Sequence, residues 1–207
     1  FYASKVGVIG TPIRQDFVLE DPPALPQGVK HLLIFGGSQG AQAINSAMLE
    51  AIEGSQKIRE SVTLTHQTGA EDCERVRQRY EQLGVQADVQ PFLFDMPKEL
   101  AKADLVICRA GASTLAELAA YSKVGILIPF PHATHNHQEL NAKAMEAAGA
   151  ARVLRQSDLS GQRLASEIES LMQDISTLQA IAGKSWEART VDATEQMVRE
   201  CQMIVDG

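Results

Sequence analysis

Residues 103–120 read ADLVICRAGASTLAELAA, an apolar run from Leu105 to Cys108 that breaks at Gly111 and gives way to a helical pattern carried by Leu115, Leu118 and Ala119. Four consecutive apolar residues suit a strand buried on both faces of a parallel sheet. Thr114 and Glu117 stand three apart, the spacing of N-cap and N3 in a capping box, which predicts that the helix starts at Thr114. In an open α/β sheet such a junction lies at the carboxyl end of the strand, where ligands bind, and the first helical N–H groups are unpaired donors. The stretch predicts a parallel α/β fold and a site at its turn.

The same order recurs on either side. His31–Phe35 is a buried strand, Gly36–Gly40 (GGSQG) a tight turn, and Ala41–Ile52 a helix with Ile44, Ala47, Met48 and Ala51 inward. In outline this is a phosphate cradle, although GGSQG is neither GxGxxG nor a Walker A sequence and no lysine follows it. A glycine turn forced by close strand-to-helix packing is the alternative reading. Strands are predicted at 62–66, 85–89, 125–128 and 151–154, and a helix at 71–83 with Cys73, Val76 and Tyr80 inward. The apolar loop Pro91–Pro97, too proline-interrupted for regular structure, is either a core plug or a wall for a flat group such as a base. A helix over 136–148 should bury Leu140, Ala144 and Met145 and end at Gly149.

From Ser157 onward the chain reads as helical. Leu164, Ile168, Leu171, Met172 and Ile175 form one apolar face, Val191, Met197, Val198 and Cys201 another, and Trp186 is a packing residue. Upstream, Lys5–Ile9 is a strand candidate, Thr11-Pro12 turns the chain before Arg14, and Asp21–Gly28 is a proline-rich linker with a boundary near Val29. Alternating strands and helices of these lengths give a doubly wound parallel sheet of about six strands, a fold that hosts many functions. Spacing alone supports a nucleotide or phosphate-sugar binder.

The totals narrow the class. Of 207 residues 44% are hydrophobic, enough for one core, and the formal charge of −7 with no Lys/Arg run longer than a pair argues against a nucleic-acid groove or polybasic membrane patch. Apolar runs are too short to cross a bilayer, and three widely spaced cysteines suggest reduced thiols rather than a disulfide framework. His132, His135 and His137 match no known metal-ligand spacing, and His137, Gln138 and Asn141 suit hydrogen bonding to a hydroxyl-rich ligand such as a sugar. Phe1 is not an initiator methionine, so the chain reads as a piece of a longer protein.

Four stretches, GTPIR at 10–14, GGSQGAQAIN at 36–45, ADLVICRAGASTLAEL at 103–118 and IPFPHATHNHQELNA at 128–142, together resemble the carboxyl-terminal half of the MurG family of bacterial glycosyltransferases. That family moves N-acetylglucosamine from its UDP carrier to an undecaprenyl-linked muramyl pentapeptide. The resemblance implies the second Rossmann-like domain of a GT-B enzyme: residues 1–28 as interdomain strand and linker, 29–207 as the UDP-sugar domain, and an amino-terminal acceptor domain not present in this chain. It implies no cofactor and no metal, a catalytic base in the absent domain, and peripheral membrane contact through that domain on the cytoplasmic side of the inner membrane. It also implies site residues. Arg14 and Ser38 would contact the diphosphate and the Leu93 backbone the uracil, with Arg109 and Gly111 shaping the loop beneath the nucleotide. Glu117 would accept from both ribose hydroxyls, and His137, Gln138 and Asn141 would read the sugar. Capping would account for Glu117 without a ligand. A donor-binding subunit of a split transferase and another GT-B UDP-sugar enzyme, such as an epimerase, remain alternatives.

Overall fold

The computed structural model describes residue 7, residues 9–190 and residues 192–206. Most of the predicted opening strand, Lys5–Ile9, lies outside the described residues, as does Val191. Six strands form one wholly parallel sheet: β1 (His31–Phe35), β2 (Thr63–Gln67), β3 (Ala87–Gln90), β4 (Leu105–Cys108), β5 (Val124–Leu127) and β6 (Arg152–Val153). Their order is β3-β2-β1-β4-β5-β6. The chain leaves β1 toward β2 on one side and later returns to β4 on the other, so the turns after β1 and β4 diverge and leave a crevice at the strand ends.

Alternation along the strands divides the core in two. Leu32, Ile34, Leu64, Leu105, Ile107 and Ile126 face helices α1 (Gln42–Gly54), α2 (Gln56–Ser61), α3 (Cys73–Gln82), α7 (Gly161–Gln173) and α8 (Ile175–Glu187). Leu33, Phe35, Val106, Cys108 and Leu127 face α4 (Met96–Lys102), α5 (Ala112–Ala120) and α6 (His137–Ala147). The central strands are buried on both faces, which is why they read as unbroken apolar runs. Phe17 anchors the segment before the linker, packing edge-to-face on Tyr121 with ring centroids 6.1 Å apart. At the amino ends of the strands, Asp104 Oδ2 accepts from the N–H groups of Lys30 and His31 at 2.8 and 2.9 Å, closing that side of the sheet.

Several expectations need correction. α5 begins at Ala112 with Gly111 as its N-cap, so Thr114 and Glu117 lie inside the helix and form no capping box. The loop after β3 gives way to α4 at Met96, with Pro97 in the first turn, where the missing N–H costs no helical hydrogen bond. α6 buries Ala142 and part of Met145, while Leu140 and Ala144 are exposed. Leu164, Ile168 and Leu171 are buried as expected, but Ile175 begins α8 and is exposed. On α9 (Ala193–Asp206), Met197, Val198 and Cys201 are exposed: periodicity marks an apolar stripe without supplying its partner. Trp186 stacks beneath the Arg189 guanidinium at 3.5 Å.

Candidate functional site

A cavity of about 480 Å³ opens at the carboxyl ends of the strands and is lined by Arg14, Ser38, Gln67, Leu93, Thr114 and Glu117 with the aromatic rings of Phe17, Phe35, Phe92 and Phe94. It draws on the turns after β1, β3 and β4, the arrangement expected at the switch point of the sheet. Four of the nine candidate residues, Arg14, Ser38, Leu93 and Glu117, meet here. This is not the largest concavity: a groove of about 900 Å³ runs between α1 and α7, but its lining is mostly polar, with Glu50, Glu169 and Asp174 among it.

The glycine turn is held by packing at one position and lines the cavity at another. Gly40 has φ +75°, and a Cβ there would lie 1.9 Å from the carbonyl oxygen of Thr68, so packing against the loop after β2 requires glycine. Gly37, also at positive φ (+93°), has open space around it and lines the cavity beside Ser38. α1 then starts from Ala41 with no side-chain cap, and its first N–H groups are left as donors. α5 starts the same way, from Gly111.

A buried relay holds this turn in place. His66 lies fully buried beneath it, its Nε2 3.0 Å from Asn45 Oδ1 and its Nδ1 2.9 Å from the Tyr80 hydroxyl. Asn45 Nδ2 donates to Thr68 O at 3.0 Å and Asp72 Oδ2 at 2.8 Å, so its oxygen is the group left to accept from His66 Nε2–H. The tautomer follows: Nδ1 accepts from Tyr80. Burial pushes the imidazole pKa down to about 3, which keeps it neutral.

Glu117 is half-buried on α5, and loss of solvent raises its carboxyl pKa above the ordinary value, against the pull of the Arg14 charge and with a push from Asp16. With the capping box gone, no hydrogen bond within the described residues occupies its carboxylate. Arg14 lies 3.5 Å from Asp16 and over the Phe17 ring at 4.9 Å. Phe92 and Phe94 meet edge-to-face at 5.0 Å, and Phe94 is 88% exposed at the cavity rim. The arrangement joins a cation, a hydroxyl, an apolar wall and a carboxylate, with the uncapped start of α1 following the glycine turn, which suits a phosphorylated nucleoside.

The remaining candidates do not line this cavity, and Asn141 lines a separate one of about 220 Å³ with Gly10, Thr11 and Ala112. Arg109 Nη1 donates to the carbonyls of Ile128 and Pro129 at 3.1 and 3.4 Å and lies over Phe130. Gln138 Oε1 accepts from Phe130 N–H at 3.0 Å, Asn141 Nδ2 donates to Ala110 O at 3.1 Å, and His137 Nδ1 is 2.7 Å from Thr134 O. These bonds brace the loop after β5 against the turn after β4, and they leave Gln138 Nε2 and Asn141 Oδ1 without partners among the described residues. His135 and Asn136 of that loop both take left-handed backbone angles, φ 51° and 54°. Among the described residues no three His, Cys, Asp or Glu side chains cluster as a metal site, and no helix is long and apolar enough to cross a membrane. Sequence reading missed Gln67 and Thr114 as cavity residues. Gln67 gave one available signal, a polar side chain ending an otherwise buried strand.

Comparison with known proteins shows the family of the chain. The family model described as the glycosyltransferase family 28 C-terminal domain matches residues 31–197. A UDP-N-acetylglucosamine–N-acetylmuramyl-(pentapeptide) pyrophosphoryl-undecaprenol N-acetylglucosamine transferase of Myxococcus xanthus is 42% identical over 205 residues, covering 97% of this chain and 53% of that protein. Its counterpart in Syntrophotalea carbinolica is 40% identical, covering 99% and 57%. The chain thus spans about half the length of these curated relatives. Acinetobacter baumannii MurG superposes with a TM-score of 0.78 at 30% identity, over 90% of this chain and 55% of that one. A putative UDP-N-acetylglucosamine 2-epimerase of Listeria monocytogenes, TM-score 0.62 at 13% identity over 92% and 50%, shares the fold alone. The chain belongs to the glycosyltransferase family 28 C-terminal domain family, as a MurG-like carboxyl-terminal half with the fold of the second GT-B domain.

Proposed function

We propose that the cavity binds the nucleotide of UDP-N-acetylglucosamine and that this chain is the donor half of an enzyme passing N-acetylglucosamine to a lipid-linked muramyl pentapeptide. The observation that carries this reading is the convergence of Arg14, Ser38, Leu93 and Glu117 on one cavity. Arg14, the Ser38 hydroxyl and the open start of α1 hold the diphosphate by charge and by donated hydrogen bonds. The Leu93 backbone meets the uracil along the wall formed with Phe92. Glu117 accepts from the two ribose hydroxyls, as two carboxylate oxygens can. Gln138 Nε2 and Asn141 Oδ1, with His137, read the sugar hydroxyls, while Arg109 and Gly111 keep the intervening loop in shape.

In the reaction the muramyl 4-hydroxyl oxygen bonds to the anomeric carbon as the bond to the diphosphate oxygen breaks, inverting the centre and releasing UDP. Charge growing on the departing diphosphate is met by Arg14, Ser38 and the α1 amides, preorganised electrostatic stabilisation of the kind that supplies the largest rate terms. The hydroxyl proton goes to a base outside this chain. Acceptor binding and peripheral contact with the cytoplasmic face of the membrane belong to the amino-terminal half. Residues 1–28 form the connection to it, and residues 29–207 the donor domain. Alone, this chain binds the donor weakly and transfers nothing.

Titration of the chain with UDP-N-acetylglucosamine, UDP-glucose and UDP tests the assignment. Glu117→Ala lowers affinity for all three about tenfold or more, as loss of charge-assisted bonds does, and Ser38→Ala lowers it several-fold, both with unchanged melting temperature. Undiminished affinity in both variants would sink the site assignment.

A further inference from the structure

Gln67 ends β2 with its side chain 3% exposed, and its carboxamide spans two loops. Oε1 accepts from the Gly36 N–H at 3.3 Å, and Nε2 donates to the Pro91 carbonyl at 3.0 Å. The orientation of the amide is dictated by its partners, because an oxygen facing Pro91 O would repel it and an NH2 group facing Gly36 N–H would set donor against donor. Each partner begins a segment of the cavity wall. Gly36 opens the glycine turn that carries Gly37 and Ser38, and Pro91 opens the loop that carries Phe92 and Leu93. Among the described residues no other hydrogen bond joins residues 36–41 to residues 91–95. Gln67 also lines the cavity between the two loops. A methionine or leucine would fill a similar volume and make neither hydrogen bond, so packing alone does not account for a polar group here.

We infer that Gln67 is a positioning residue that fixes the separation between the glycine turn and the Leu93 loop, and thereby couples the binding of the two ends of a nucleoside diphosphate. The inference rests on the proposed assignment of diphosphate to the first loop and base to the second. Fixing both loops before the ligand arrives removes the ordering cost of a molecule that must span them. A ligand that touches one loop gains little from the brace.

The test uses the whole chain with three probes: UDP, uridine and inorganic pyrophosphate, titrated by chemical-shift changes. Gln67→Met removes both hydrogen bonds at similar volume. The expected result is a tenfold loss of affinity for UDP with less than a twofold change for uridine and for pyrophosphate. Unchanged UDP affinity, or an equal loss for all three probes as general loosening would give, overturns the inference.

Gln67→Glu supplies a second measurement if the methionine variant fails to fold. As a carboxylate it can still accept from Gly36 but cannot donate to Pro91, so UDP should lose more affinity than pyrophosphate does. Protonation restores a donor, and the extra loss should disappear as pH falls, with the wild type as reference at each pH. Equal losses for UDP and pyrophosphate at every pH would again overturn it. If the wild-type chain does not bind UDP, the site assignment fails and takes this inference with it. Wild-type binding with an unaltered variant removes this inference alone.

Discussion

The first turns of α7 and α8 are closed by their own side chains: Ser160 Oγ accepts from Arg163 N–H at 3.2 Å, and Asp174 Oδ1 from Thr177 N–H at 3.0 Å. The first turns of α1 and α5 have Ala41 and Gly111 in the same position and no such bond. Nothing in the backbone demands glycine at 111. Its φ is −69° and ψ 146°, and a Cβ there would find its nearest neighbour, Thr114 Oγ1, at an ordinary 3.6 Å. Serine or aspartate would fit and would stabilise the helix, yet the chain leaves those donors open. α4 begins beside the cavity too, but Asp95 caps it, accepting from Lys98 N–H at 3.2 Å. The helix next to the proposed position of the uncharged base is closed. The start of α1, next to the proposed diphosphate, is not, and α5, which carries Thr114 and Glu117 to the cavity, is uncapped as well.

Three substitutions probe this contrast between open and closed helix starts and the turn that sets it up. Gly40→Ala should have the largest effect, because the new methyl meets the Thr68 carbonyl and the backbone must hold φ +75°. We expect a loss of about 3–5 kcal/mol in chemical denaturation, or failure to fold. Gly111→Asp should move stability and binding in opposite directions. A new N-cap should raise stability by about 0.5 kcal/mol, while its negative charge, on the helix that carries Thr114 and Glu117 to the cavity, lowers affinity for the anionic UDP about tenfold. Equal or tighter UDP binding by this variant would separate the open start of α5 from donor binding.

Asp174→Asn at a closed terminus should have the smallest effect and leave UDP binding untouched. Hydrogen bonds from the Ser176 and Thr177 hydroxyls and the Thr177 N–H hold the Asp174 carboxyl pKa down to about 2, below its ordinary 3.8. Its stabilising contribution is therefore present above pH 3.8 and fades as pH falls toward 2. The wild type should lose stability across that window relative to the variant, as thermal melts at each pH would show.

Much of the sheet could be read from the chain, because strands buried on both faces carry unbroken apolar runs. β1 and β4 begin and end where predicted, and β2, β3, β5 and β6 shift or shorten by a residue or two. What failed did so for identifiable reasons. The Thr114 and Glu117 spacing fits a capping box, but Ala112 and Ser113 continue the helix toward Gly111, and a glycine N-cap leaves no polar signature. Pro97 looked like a breaker and is a helix starter. The apolar stripe of α9 gave no hint of which surface would cover it.

The site was legible in proportion to its backbone content. The glycine turn, the Leu93 loop and the β4–α5 junction are local in sequence and could be placed. The links between them are not: Gln67 to Pro91 and His66 to Asn45 join residues more than twenty positions apart, and only the folded sheet brings them together. The resemblance, not spacing, singled out Glu117, and the correction to α5 removes the capping role that would otherwise explain it.

A parallel sheet ends in two rows of unpaired main-chain groups, each a template on which another molecule could add a strand. Here β6 contributes two residues and β3 four, with the charged, outward Asp88 on the latter. Among the described residues neither margin offers a long apolar ribbon, so strand addition at the sides of this sheet has little to build on, and its open rim is the one where the turns diverge.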